Sequence, residues 1–286
     1  MPRLAYVPLV VLPTAAYLLR GLMPRWGFMW AMAVALFAGC KWLTYCEATR
    51  AVPDRLRTVG YLFAWPGMDA DAFLSGAGRV PQPRGSAWIM AALKTTLGIA
   101  LTWIVARRLS PGFPLLAGWI GMTGLVFVLH FGIFDLVSLA WRRRGVEAVP
   151  LMRNPLRATS VAEFWGRRWN TAFHELAVRF TFKPMRPVAG LTGATLLVFI
   201  ASGLIHELVI SVPAQGGYGL PTVYFVLQGA GLVAERGQVG RWAGLGRGAR
   251  GWIFTVLVTA GPIGWLFPRP FVQNIILPML GAIGAI

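Results

Sequence analysis

Apolar residues in this chain run in long blocks separated by short polar stretches. Blocks close to the length of a membrane span lie at 4–19, 26–46, 87–106, 114–140, 188–212, 219–234, 251–267 and 268–286. A spanning helix needs about 20 consecutive apolar residues. The pattern therefore predicts an all-α integral membrane protein, a multi-span bundle with about eight transmembrane helices. The first block follows Met1-Pro2-Arg3. Pro8 and Pro13 interrupt it and no A-x-A cleavage site follows, so it reads as the first span and not as a signal peptide.

Composition sharpens this picture. Of 286 residues, 56% are apolar and 13% charged, against about 25% charged in soluble domains. With a mean hydropathy of +0.61, this excludes disorder and argues against a soluble enzyme. The net charge of +17 would suggest nucleic acid if it covered a soluble surface. The basic residues instead sit between the apolar blocks, as expected beside an anionic leaflet, and no nucleic-acid partner is expected. With eight spans, 20 of the 27 fall on the side of the N-terminus, the 47–86, 141–187 and 235–250 loops and the C-terminus, and 5 on the other side. This bias predicts that both termini are cytoplasmic. Lys41 and Lys94 lie within apolar blocks, where they would snorkel or line a cavity. Cys40 and Cys46 match no metal or redox spacing and read as packing residues. No transporter-type repeat is visible, and the Gly-rich 235–250 stretch lacks a P-loop ending. A single domain over 1–286 is expected.

The 141–187 loop is too aromatic for a linker. Ser160 with Glu163 three residues on forms a capping box, so a helix should begin there and end near Lys183-Pro184. Val161, Trp165, Trp169, Ala172, Leu176 and Phe180 form one apolar stripe; Glu163, Arg167, Asn170, His174 and Thr181 fall mostly on a polar face. A cytoplasmic amphipathic helix over 160–182, lying in the membrane interface, is expected. On composition alone it is an interfacial anchor. The following span, 188–212, holds two ionisable side chains, His206 and Glu207. Such groups usually face a bundle interior or a cavity. Ser202, one turn earlier, shares the face of His206, and Gly203 leaves room beside it. A buried histidine paired with another helix fits as well as a functional one. The chain has three histidines, His130, His174 and His206, and neither His-Glu pair continues as H-E-x-x-H, so no metal site is expected. No G-x-S-x-G nucleophile motif occurs.

EFWGRRWN (163–170), followed 32 residues later by SGLIHELVISVP (202–213), resembles the membrane-bound O-acyltransferase superfamily. The ATS-x-x-EFWGRRWN form is most similar to its wax-synthase branch, which YLFAWPGMD (61–69) fits more loosely. The similarity is strongest over 145–235, the implied catalytic core. The resemblance implies transfer of a fatty acyl group from acyl-CoA, a co-substrate in the absence of any cofactor, to a hydroxyl. A long-chain alcohol is the first choice of acceptor; a sterol, diacylglycerol, glycan or secondary-metabolite hydroxyl are alternatives on the same fold. It implies His206 as general base and Asn170 as stabiliser of the thioester oxyanion. Ser202 and Glu207 would orient the acceptor or the histidine, Gln228 would line the same cavity, and Trp169 and His174 would border the substrate, His174 more in a structural hydrogen bond. Arg142, Arg143, Arg144, Arg167 and Arg168 are on the side expected for CoA, but positive-inside topology explains them equally. A proton-coupled transporter, with His206-Glu207 as relay, is the contrasting class. Membrane lipids are expected partners, and a homo-oligomer is allowed.

Overall fold

The computed structural model describes residues 3–48, 54–75 and 80–286. Among these no strand occurs. They pack as two compact units, residues 1–151 with 273–286, and residues 152–272. The 145–235 core region falls almost wholly in the second.

Among the described residues, five helices are long and apolar enough to cross a membrane: α1 (Leu4–Leu22), α2 (Arg25–Cys46), α3 (Gly85–Leu109), α4 (Pro114–Arg143) and α5 (Thr171–Ala214). The expected count of eight is not reached. The helix α6 (Leu220–Arg236) has 17 residues, about 25 Å at 1.5 Å per residue, against a hydrocarbon core of about 30 Å. The blocks at 251–267 and 268–286 form α7 (Gly248–Leu266) and α8 (Arg269–Ala282), a broken pair that makes at most one further span. Hydropathy alone does not register a chain break such as the one before Pro268, which cannot supply a backbone donor.

In the first unit, α3 and α4 form a tight hairpin. A Cβ on Gly98 would lie 2.6 Å from the Gly124 carbonyl oxygen, so the backbones approach as only small residues allow. Neither in-span lysine snorkels. Lys94 Nζ pairs with Asp135 Oδ2 at 3.0 Å. Lys41, 2% exposed, lies 3.4 Å over the Tyr61 ring centroid and donates to the Gly67 carbonyl. These contacts exchange hydration for a counter-ion in one case and for a π face and a carbonyl in the other. The YLFAWPGMD segment is thereby folded inward: Tyr61, Trp65 and Met68 are buried, and Tyr61 Oη donates to the Met68 carbonyl.

In the second unit, α6 packs along α5. A Cβ on Gly203 would meet Thr222 Cα at 2.7 Å. The room that Gly203 leaves is thus filled by helix backbone. Helix α5 contains one non-helical residue, Gly190, at φ 67° and ψ −176°. That region is essentially restricted to glycine. The expected stop at Lys183-Pro184 does not occur: the helix continues through Pro184, directly after a wide turn over Val178–Phe182. The break between the motif helix and the motif span falls at Gly190 instead.

Candidate active site

The motif segment starts as its capping box dictates. Ser160 Oγ accepts from the Glu163 N–H at 2.9 Å, and Glu163 Oε2 accepts from the Thr159 N–H at 2.8 Å. A second carboxylate, from the far end of α6, completes the cap. Glu235 Oε2 and Oε1 accept from the Val161 and Ala162 N–H groups at 2.7 and 2.8 Å. Three of the orphan donors at this helix start are satisfied by side chains. Partial burial raises the Glu163 carboxyl, but the Thr159 hydrogen bonds and the Arg168 guanidinium hold it below the usual carboxylate range. Arg168 donates through Nε at 2.7 Å and lies 2.6 Å away through Nη2, both on Glu163 Oε1.

The expected unbroken helix over 160–182 is interrupted. The Trp169 N–H bonds the Phe164 carbonyl at 2.8 Å, a wide five-residue turn, and Trp169 itself is extended. Such turns recur at functional sites. Asn170 then takes the left-handed conformation, φ 44° and ψ 62°, which asparagine tolerates better than most side chains. Tertiary contacts hold the break. The Asn170 N–H points at Met152 Sδ at 3.2 Å, the Arg153 N–H bonds the Arg168 carbonyl at 2.8 Å, and Arg168 Nη1 donates to the carbonyls of Arg153 and Asn154. The Asn170 carbonyl begins the next helix by accepting from the Phe173 and His174 N–H groups at 3.1 and 3.2 Å. Its side-chain amide bonds none of the described residues. Trp169 stacks on Phe164, centroids 5.7 Å apart. The apolar stripe is therefore split, with Val161 and Trp165 on one side of the break and Ala172, Leu176 and Phe180 on the other.

His206 is set by its own helix. Its Nδ1 lies 2.7 Å from the Ser202 carbonyl oxygen. A carbonyl only accepts, so Nδ1 carries the proton and Nε2 presents a lone pair. No described residue hydrogen-bonds Nε2. The ring rests on Phe225, centroids 4.4 Å apart. Ser202 contributes its carbonyl; its hydroxyl back-bonds to the Val198 carbonyl at 2.9 Å. Directly after His206, residues Glu207–Ser211 form another wide turn. Glu207 Oε1 accepts from the Thr222 N–H at 3.1 Å and from Thr222 Oγ1 at 3.0 Å, which caps the first turn of α6. Its Oε2 is buried with no partner among the described residues.

Phe225 joins the two motif segments. It contacts the His206 ring and the Trp165 ring, the latter at 5.6 Å. Trp165 also packs edge-on against Phe199 and donates through Nε1 to Gln228 Oε1 at 3.2 Å. Gln228 Nε2 donates to the Val258 carbonyl at 2.7 Å. Gln228 is fully buried with both ends of its amide occupied, so it braces Trp165 and offers no open face to a cavity. His174 is bonded to Asn170 through backbone alone; its ring lies beside Gly166 across the break. No hydrogen bond or ring contact joins Asn170 to His206. Sequence reasoning missed Phe225, Thr222, Trp165 as a bridge, and Glu235. Only Glu235, an acid closing an apolar block, carried any signal.

Residues 148–227 match the Membrane bound O-acyl transferase family. The chain is also similar to the probable long-chain-alcohol O-fatty-acyltransferase 7 of Arabidopsis thaliana, 30% identical over 148 residues, which are 46% of this chain and 42% of that protein. The probable long-chain-alcohol O-fatty-acyltransferase 2 of the same plant is 35% identical over 143 residues, 46% of this chain and 41% of the relative. The long-chain-alcohol O-fatty-acyltransferase of Simmondsia chinensis is 31% identical over 97 residues, 29% and 28% of the two chains. The matched stretch spans less than half the length of each of these relatives. The stretch that holds both motif segments is thus the part of the chain that is similar to the membrane bound O-acyl transferase family and to these long-chain-alcohol O-fatty-acyltransferases.

Proposed function

We propose that this protein transfers a fatty acyl group from acyl-CoA to the hydroxyl of a long-chain alcohol, giving a wax ester and free CoA. The observation that carries the reading is the His206 ring: Nδ1 is held by the Ser202 carbonyl, and Nε2 is open as a base within an apolar helix. The alcohol proton passes to Nε2 as the alcohol oxygen attacks the thioester carbonyl. The C–S bond then breaks, and the thiolate takes the proton back from the imidazolium. The Asn170 amide, unbonded to its surroundings, is the donor assigned to the oxyanion. Glu207 and Gln228 keep α6, Phe225 and Trp165 in place around the ring, and Trp169 and His174 border the break that presents Asn170. Acyl-CoA enters as co-substrate.

The charge bias supports a cytoplasmic N-terminus and a motif segment on that side. Counted as a sixth span after the five candidate spans, the α7–α8 pair returns the C-terminus to the side of the N-terminus; as a re-entrant pair it would leave the C-terminus on the opposite side. Purified protein incubated with acyl-CoA and a panel of acceptors tests the reaction. Ester formation should be fastest with long-chain alcohols. Preference for a sterol, diacylglycerol or glycan hydroxyl would replace the acceptor, and absence of transfer to every hydroxyl would remove the reading.

A further inference from the structure

The first unit contains an open recess of about 370 Å³, lined by none of the residues just described. Its walls include Arg84 and Arg142 with Gln82 and Ser86, and the apolar Ala87 and Met90. The two arginines come from different helices. Arg84 immediately precedes α3, and Arg142 lies in the last turn of α4. Because α3 and α4 form a hairpin, both guanidinium groups stand at the same end of two neighbouring candidate spans.

Neither cation is neutralised. Neither Arg84 nor Arg142 stands in an ion pair with a described residue. Arg142 donates through Nη2 to the Pro81 carbonyl at 3.2 Å, which fixes its direction and leaves its remaining donors open. The Arg84 guanidinium bonds none of the described residues. Residues 1–2, 49–53 and 76–79, outside the description, contain no aspartate or glutamate. Two like charges converging on one concavity favour an anion between them, and guanidinium groups suit a phosphate oxygen pair. The apolar part of the wall continues along α3 into the span, where Met90 and Ile89 are exposed. A ligand that fits has a phosphate at the membrane surface and a hydrocarbon chain below it.

We propose that this recess binds the phosphate of an anionic phospholipid, with Arg84 and Arg142 on the phosphate and an acyl chain along Ala87 and Met90. The phosphates of coenzyme A share the headgroup chemistry but bring no chain that would lie along α3, so the lipid is the assigned source. The site is independent of the acyl-transfer reading.

The test uses the full-length protein in phosphatidylcholine-containing micelles, titrated with phosphatidylglycerol and followed by native mass spectrometry. R84Q/R142Q should weaken phosphatidylglycerol retention by about tenfold or more, the effect expected for loss of charge-assisted hydrogen bonds. Phosphatidylcholine retention should not change. R84K/R142K, which keeps the charge, should retain most of the binding, and R143Q/R144Q, outside the recess, should bind as wild type. Circular dichroism shows whether each variant keeps its helix content. An equal loss in R143Q/R144Q would reduce the effect to general surface charge and overturn the proposal. So would unchanged phosphatidylglycerol binding in R84Q/R142Q. Displacement of the lipid by coenzyme A, with loss of coenzyme A binding in R84Q/R142Q, would give the recess to the soluble ligand instead.

Discussion

Asn170 stands where one helix stops and the next begins, at φ 44° and ψ 62°. His206 stands within a helix that runs on to Ala214. Around Asn170 the backbone sets the position. Met152 and Arg153 take up peptide groups of the break, the carbonyls of Arg153 and Asn154 accept from the Arg168 guanidinium, and Glu235 takes the peptide groups at the segment's start. Around His206 a local bond fixes the tautomer, and the ring rests on a neighbouring helix through Phe225. The first segment depends on contacts distant in sequence and should be sensitive to remote changes. The second should lose function mainly through its own side chain.

The sharpest test of this contrast is His206→Ala. Loss of a general base typically lowers turnover about 10²–10⁴-fold, and here the protein should still insert and fold. A thiol or a more acidic alcohol needs less help losing its proton and should recover part of the rate. Equal loss for every acceptor, measured as turnover against acceptor pKa, would turn His206 into a packing residue.

Two substitutions separate backbone from side chain at Asn170. Removal of a positioned oxyanion donor typically costs about 10²–10³-fold in turnover. Asn170→Ala removes the amide and strains the left-handed backbone; Asn170→Gly removes the amide but keeps that conformation accessible. Both should lose activity to a similar degree and for every acceptor. Recovery in the glycine variant would assign Asn170 to the break and not to the chemistry.

Glu235→Ala should act at a distance. It leaves the Val161 and Ala162 N–H groups without their acceptor, and an unsatisfied buried donor costs about 1–3 kcal/mol. Faster hydrogen exchange over 161–170 and a lower unfolding temperature are expected, with exchange at 199–211 unchanged. Loosening of both stretches together would abolish the contrast between the two segments.

The smallest effect concerns pH. The Glu163 carboxyl is depressed in the folded protein, so its contribution is complete above the unfolded value of about 4.3. It is lost as pH falls from there through the folded value. Opening of the 161–168 segment, followed by exchange between pH 6 and 3, should rise at the acid end in the wild type. Glu163→Gln should show a flatter profile across that range. A rise of the same size in the variant would move the acid sensitivity to another group.

Much of this was legible in the chain itself. The all-α membrane character follows from block length, because a lipid-facing backbone must satisfy its hydrogen bonds within each helix. The Ser160–Glu163 cap follows from local chemistry, and both motif segments are local strings. The number of spans was less legible, since apolar runs such as 251–286 do not disclose where a helix breaks. The stop near Lys183 was misplaced because a helix can run on through a proline next to a wide turn, and the sequence does not show that turn.

What the sequence by itself determined is therefore the set of local facts: helices, a capping box, and a histidine one turn after Ser202. Only the tertiary structure decided that the motif helix breaks at Asn170, because the groups that compensate the break come from residues 152–154. It also decided that Gln228 braces Trp165, that Glu235 caps a segment more than 70 residues away, and that Phe225 joins the two motif segments. Each of these is a contact between residues far apart in the chain. Hydrophobic periodicity carries no information about such pairs, since it records which face is apolar and not which partner covers it.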